Sequence, residues 1–253
     1  MNIIGTHTLF MKEIRRFCKV LMQTVAAPVI TTLLFLCVFI LALGDNHIVV
    51  PGVDFVHFLV PGLIMMALAQ NAFANSSSSL IIAKVNNTIV DLIMSPLGPG
   101  EITAAYAVGS MVRGVLVGAA VALSVIPFVP ITVHSILYLI YHTLSGALFL
   151  GLLGILTGIW AEKFDHVATI TNFIVTPLSF LSGTFYSVQR LPEFWQIVAH
   201  LNPFFYMIDG VRYSLTGYHD GNLHAGIWVM LACNGACWIL CHRWLARGYK
   251  LQS

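Results

Sequence analysis

Three thiols, Cys233, Cys237 and Cys241, recur at i, i+4 and i+8, which stacks them on one face of a helix where a soft metal or a redox pair could sit. With Cys18 and Cys37 the count is odd, and no zinc-type pairing of spacings occurs. Free cysteine also packs as a small hydrophobe, so apolar packing is the simpler use. The ten histidines are scattered, and His134 and His142 have no acidic partner nearby in sequence. Neither G-x-S-x-G nor H-E-x-x-H occurs. No lysine is followed by Ser or Thr, so there is no Walker A loop and the chain is not its own P-loop ATPase. The expected catalytic and metal-ligating sets are both empty, with no cofactor held by this chain.

The remaining polar chemistry lies inside apolar runs. Asn71, Asn75 and Ser79 fall at i, i+4 and i+8 with Gln70 alongside, and Thr169, Asn172, Thr176 and Ser179 at i, i+3, i+7 and i+10. Amide and hydroxyl groups do not face lipid, so these stripes face protein or a water-accessible groove. They are either interhelical glue or, facing one another, a route for an amphiphilic substrate. In the second case the path residues are Gln70, Asn71, Phe73, Asn75, Thr169, Asn172, Phe173 and Thr176. Arg113 is the one clear charge within a run, available to a substrate anion, to a polar neighbour or to snorkelling. Asp45, Asp54, Asp91, Glu101, Glu162, Asp165, Glu193, Asp209 and Asp220 all fall in or beside connections, which argues against ion-coupled transport.

The elements that position these groups follow from composition. Of 253 residues 58% are hydrophobic and 9% charged, against about 25% charged in a soluble domain, so the solvent is lipid. The net charge of +2 does not suggest nucleic acid. Nearly charge-free runs near 23–43, 57–82, 103–127, 135–160, 167–184 and 224–242 are long enough to cross about 30 Å of hydrocarbon. The expected fold is a single all-α transmembrane domain, 1–253, with six transmembrane helices. Both termini placed inside put Lys12, Arg15, Arg16, Lys19, Lys84, Lys163, Arg243, Arg247 and Lys250 in the cytoplasm, and only Arg190 and Arg212 outside.

Three segments are neither spans nor ordinary loops. Residues 7–20 read as an interfacial helix, with Leu9, Phe10, Ile14 and Phe17 opposite Lys12, Arg15, Arg16 and Lys19. In 84–97, Val85, Ile89, Leu92 and Ile93 recur at helical spacing around Asp91, and Pro96 and Pro99 end the pattern. That is either a docking element for a partner or a plain linker. Residues 185–216 lie between the last two runs. Pro192 suits a helix start, Asn202 can cap a second helix with Pro203 first in it, and Gly217 can end it. The two helices come to about 14 and 21 Å, too short to cross, which predicts an outer re-entrant hairpin.

"FLVPGLIMM" (58–66), "VDLIMSPLGPGEI" (90–102) and "LSGTFYSVQRLPEFWQIVAHLNPFFYMIDGVRY" (181–213) resemble the permease subunits of type-2 ABC exporters, near the small bacterial permeases for daunorubicin, nodulation factors and polysaccharides. The resemblance covers essentially the whole chain. It implies a homodimeric half-transporter in the bacterial inner membrane, bound to two copies of an ABC-type ATPase subunit that carry the ATP and magnesium. Residues 7–20 would be the connecting helix. Val85, Ile89, Asp91, Leu92 and Ile93 would couple to the ATPase, although Val90–Asp91 stands where members often have two acidic residues. Phe185, Tyr186, Trp195, Asn202, Pro203, Tyr206 and Arg212 would line the outer gate, with membrane lipid as the surrounding partner. The alternative is a stand-alone facilitator or scaffold without an ATPase.

Overall fold

The computed structural model describes residues 2–43, 48–50 and 53–250. Asp45, expected in a connection, lies outside the described residues. The fold is all-α apart from a short hairpin, in which Ile48–Val50 (β1) pairs antiparallel with Val53–Asp54 (β2). Among the described residues five helices are long and apolar enough to cross a membrane: Leu21–Leu43 (α2), Phe55–Val85 (α3), Pro99–Val125 (α5), Ile136–Trp160 (α6) and Leu223–Ala246 (α11). The chain is therefore an all-α integral membrane protein crossing more than once.

The fifth expected span is one unbroken helical run in three parts, Phe164–Ile170 (α7), a π turn over Thr171–Val175 and Thr176–Leu181 (α8). The Thr176 N–H reaches the Thr171 carbonyl, five residues back. Pro177 follows at once, and its missing N–H and its ring explain why the ordinary ladder widens here.

The central helix α3 is buried over most of its length, with α5 and α6 packed on it. Small residues allow this approach. A Cβ at Gly154 would lie 2.4 Å from the Phe73 carbonyl oxygen, so α3 and α6 meet backbone to backbone, and the Ser76 hydroxyl donates to the Gly151 carbonyl at 2.7 Å. Helix α2 packs on α3 and α5, and α11 on α6. Cys237 and Cys241 are buried, with Cys241 Sγ 3.5 Å from the Leu152 carbonyl, so part of the thiol row faces α6 as packing. Among the described residues no group of three or more His, Cys, Asp or Glu could hold a metal.

Helix α1 spans Ile3–Cys18, longer at its start than the periodicity of 7–20 indicates, because the Asn2 side chain accepts the Gly5 N–H at 2.9 Å and caps it. It runs alongside α5 in the same direction, with Gly5 against Leu97 and Glu13 against Gly109. Its inward face is not wholly apolar, since Glu13 is buried between Leu9 and Phe17.

Candidate functional site

Polar and charged groups gather at three places in this bundle. The first is the end where α3 passes into α5. Ile89–Ile93 (α4) is a single short helix rather than one filling 84–97. Val85 belongs to the end of α3 and is exposed. Asn87, at φ 58°, turns the chain. Ile89 and Leu92 face inward at 5% and 9% exposure, while Val90, Asp91, Ile93 and Met94 face outward. The five expected coupling residues therefore divide: Ile89 and Leu92 anchor α4, and Asp91 and Ile93 belong to its free surface. Lys84, beside α4, donates to the last carbonyls of α6, those of Ile159 and Ala161, the latter at 2.9 Å. A cation at a helix C-terminus satisfies its orphan acceptors and ties α3 to α6 at this end. Close by, the Lys250 ammonium donates to Glu162 at 2.9 Å, and this bond holds the Glu162 carboxyl below its ordinary value and the Lys250 ammonium above its own.

The second gathering lies along α3, where α1 and α5 meet it. Glu13 forms an ion pair with Arg16 at 3.1 Å and accepts the Ser79 hydroxyl at 2.7 Å. Arg16 also donates to the Asn75 carbonyl at 2.6 Å, the Asn75 side-chain oxygen at 3.0 Å and Ser78 at 3.1 Å. Asn75 is fully buried and Phe73 is 2% exposed, so neither shows surface to a groove on the protomer. Their burial follows from α3's place at the centre, and Asn75 serves as glue for Arg16. Asn71 accepts from Arg113 at 3.3 Å and donates to the Ala67 carbonyl at 3.0 Å. Gln70 lines a cleft of about 250 Å³ between α2 and α3, with Thr31 and Thr32 opposite.

The stripe on the α7–π–α8 run is placed otherwise. Thr169, Asn172 and Phe173 point outward, Phe173 at 77% exposure, and Thr176 is half-buried. Within one protomer the two stripes do not face each other across a shared groove. The Asn172 amide has no hydrogen-bond partner among the described residues, although it sits at mid-length of an 18-residue helical run.

The third gathering is at the opposite end. Glu193–Leu201 (α9) and Pro203–Thr216 (α10) break at Asn202–Pro203, and both are shorter than a crossing. The Asn202 side-chain oxygen accepts the Phe204 N–H at 3.0 Å, its amide donates to the Leu178 carbonyl at 2.8 Å and Ser182 at 2.9 Å, and Gly217 ends α10 at φ 76°. Arg212 is wholly buried. It donates from Nε to the Phe58 carbonyl at 3.2 Å and from Nη2 to the Gly183 carbonyl at 2.7 Å, with its guanidinium 3.8 Å over the Phe58 ring. Arg212 therefore lines no opening; it bolts α10 to α3 and to the turn after α8. Asp209 accepts the backbone N–H of Asp220 and Gly221, and Asp220 in turn accepts Ser187, the Val188 N–H and the Tyr218 hydroxyl. Burial, with the hydrogen bond to Asp220, pushes the Tyr218 hydroxyl up to about 12, so it stays a neutral donor at ordinary pH. Phe185 joins Phe35 and Phe39 of α2 to Phe180 of α8, with ring centroids 5.5–5.7 Å apart. Tyr186, Pro203 and Tyr206 are half-buried and Trp195 is exposed.

Four contributors escape the sequence pattern: Glu13, Lys84 as a cap, Phe58 as the seat of Arg212, and Asp220 as a loop clasp. Only Glu13 leaves a signal, an acid three residues before Arg16 in an otherwise basic helix.

The sequence pattern of the ABC-2 type transporter family matches residues 5–216. The chain is 36% identical over 250 residues to the inner membrane transport permease YadH of Escherichia coli strain K12, covering 99% of this chain and 98% of that one. It is similar as well to nodulation protein J of Neorhizobium galegae, at 23% identity over 181 residues covering 70% of this chain and 69% of the relative. Against nodulation protein J of Sinorhizobium fredii the identity is 25% over 176 residues, covering 69% and 67%.

Proposed function

We propose a working cycle from the premise that this chain belongs to the ABC-2 type transporter family, as the membrane permease subunit of an ABC exporter, and that it pairs with an ABC ATPase subunit. The permease is not itself an enzyme; the partner binds ATP with magnesium and hydrolyses the ATP. Two permeases and two ATPases make the assembly, in a bacterial inner membrane, with both termini on the cytoplasmic side. This orientation rests on the excess of Lys and Arg at the α4 end.

The observation that carries the cycle is the divided burial of α4. Two apolar side chains hold it to the bundle, while Val90, Asp91, Ile93 and Met94 present an apolar patch with one charge to whatever lies below. A partner that grips this knob moves α3, and through Lys84 the end of α6 moves with it. The substrate, an amphiphile such as a drug, lipid or glycan, passes between two copies. It follows Gln70 and Asn71 on one side and Thr169, Asn172, Phe173 and Thr176 on the other. The unpartnered Asn172 amide supports this placement, because such a group costs several kcal/mol against lipid. The exit lies past Phe185, Tyr186, Trp195 and the α9–α10 hairpin. The stand-alone reading has no observation in its favour.

The test is purification of the tagged chain from its native membrane in mild detergent, with mass spectrometry of what accompanies it. A P-loop ATPase at about one copy per permease is the expected result. Its reproducible absence, under conditions that preserve a known ABC complex, refutes the cycle.

A further inference from the structure

Arg113 is the fifteenth of the twenty-seven residues of α5, about 21 Å from the end beside α4. A guanidinium at that depth is normally paired, because an uncompensated charge in a low-dielectric surrounding is expensive. Among the described residues Arg113 has one hydrogen bond, the 3.3 Å contact to Asn71, and its buried Nε has no partner. Among the described residues no carboxylate lies within ion-pair distance of it. The cluster holds two guanidiniums, Arg16 and Arg113, against the single carboxylate of Glu13, and Glu13 is already engaged by Arg16 and Ser79. One positive charge is left over. Arg212, which is wholly buried, differs: its Nη1 is also without a partner, but two carbonyls and an aromatic face hold the rest of the guanidinium.

Among the described residues a second copy of the chain offers no free carboxylate at that depth. It carries the same sequence, and apart from Glu13 its described carboxylates lie at helix ends, in connections or, as Asp209, bonded to their own loop at the far end of the bundle. A cleft between α2 and α3 lies one turn along α3 from Asn71, the residue that accepts from Arg113: its wall includes Ala67, whose carbonyl accepts from Asn71, and Gln70. That cleft is lined by both kinds of surface, Thr31, Thr32 and Gln70 beside Phe35, Leu63 and Met66.

We propose that Arg113 seats the anionic headgroup, a carboxylate or phosphate, of an amphiphile whose body enters the α2–α3 cleft. This deepens the permease reading and rests on it for the view that the amphiphile is cargo. The guanidinium fork suits such a group, since it can donate two parallel bonds to one carboxylate or phosphate.

The test uses the full chain in phosphatidylcholine nanodiscs, titrated with a fluorescent phosphatidic acid and with the matching diacylglycerol, which lacks only the phosphate. The wild type is expected to bind the phosphatidic acid about tenfold or more tightly than the diacylglycerol, the scale of one charge-assisted hydrogen bond. Arg113→Gln should erase the preference without changing diacylglycerol binding, and Arg113→Lys should keep most of it. Equal wild-type affinity for the two probes overturns the seat, even if the Gln variant fails to fold; so does a Gln variant that keeps the preference. Neither result touches capture of an ATPase, and failed capture leaves the binding preference standing, so the two readings fail separately. In the captured complex, ATP and magnesium that release the phosphatidic acid identify cargo, while retention through turnover identifies a resident lipid; the anion seat holds in both cases.

Discussion

Truncating Arg212 to Met should loosen the α9–α10 hairpin more than any other single change in it. The guanidinium makes two charge-assisted hydrogen bonds to carbonyls in fully buried surroundings and covers the Phe58 ring at 3.8 Å. Two such bonds contribute about 3–6 kcal/mol, and the ring contact about 1–2 kcal/mol more. Methionine spares the protein the desolvation of a charge, which offsets part of this, but it leaves the Gly183 carbonyl without its donor and the Phe58 carbonyl with only its place in the α3 ladder. A net loss of about 3 kcal/mol follows. At this chain length that corresponds to a drop of roughly 6–12 °C in Tm. Arg212→Lys keeps the charge and one bond but not the fork, so its loss should be about half as large. Thermal unfolding of the purified chain in detergent, read alongside proteolysis in the 183–203 segment, measures both. An Arg212→Met protein within about 0.5 kcal/mol of wild type would refute the assignment of Arg212 as a bolt and return it to the gate.

The α4 surface gives a sharper contrast. Asp91→Ala or Ile93→Ser should weaken ATPase capture without lowering the melting temperature, whereas Ile89→Ala should cost about 2–4 kcal/mol of stability because its side chain is an anchor; equal melting behaviour of all three refutes the division. Gly154→Ala places a methyl 2.4 Å from the Phe73 carbonyl oxygen, so α3 and α6 must separate. A destabilisation of about 1–3 kcal/mol is expected in thermal unfolding, and Gly235→Ala, with open space around its Cβ position, serves as the neutral control. The raised Tyr218 hydroxyl makes its share of stability complete below about pH 10, its unfolded value, and lost as pH climbs toward about 12. Tyr218→Phe should flatten that alkaline limb of the stability curve; an unchanged limb shows that the tyrosine contributes nothing there.

Much of the architecture is legible in the residues because lipid imposes simple rules. Charge-free runs of about twenty residues read as spans, and five of the six expected ones are helices long and apolar enough to cross, while Asn202–Pro203 breaks one helix and begins another. Gly217 ends α10 in the left-handed region that glycine favours. The polar stripes also announce that some partner must exist, since lipid offers none. What a stripe cannot reveal is who the partner is. Asn75 turned out to bond Arg16 of α1, fifty-nine positions away, and Phe73 to be core, while Asn172 and Phe173 face outward from the protomer. The α4 periodicity shows an amphipathic turn but not which side the bundle claims. The sequence by itself determined the solvent, the number and length of the apolar runs, and the absence of a Walker A loop, because each depends on local composition. Only the tertiary structure decided that Arg212 is a bolt, that Glu13 enters the bundle and that Arg113 has no ion-pair partner among the described residues. Those depend on contacts between residues distant in sequence, where the balance of charges is set by which helices meet.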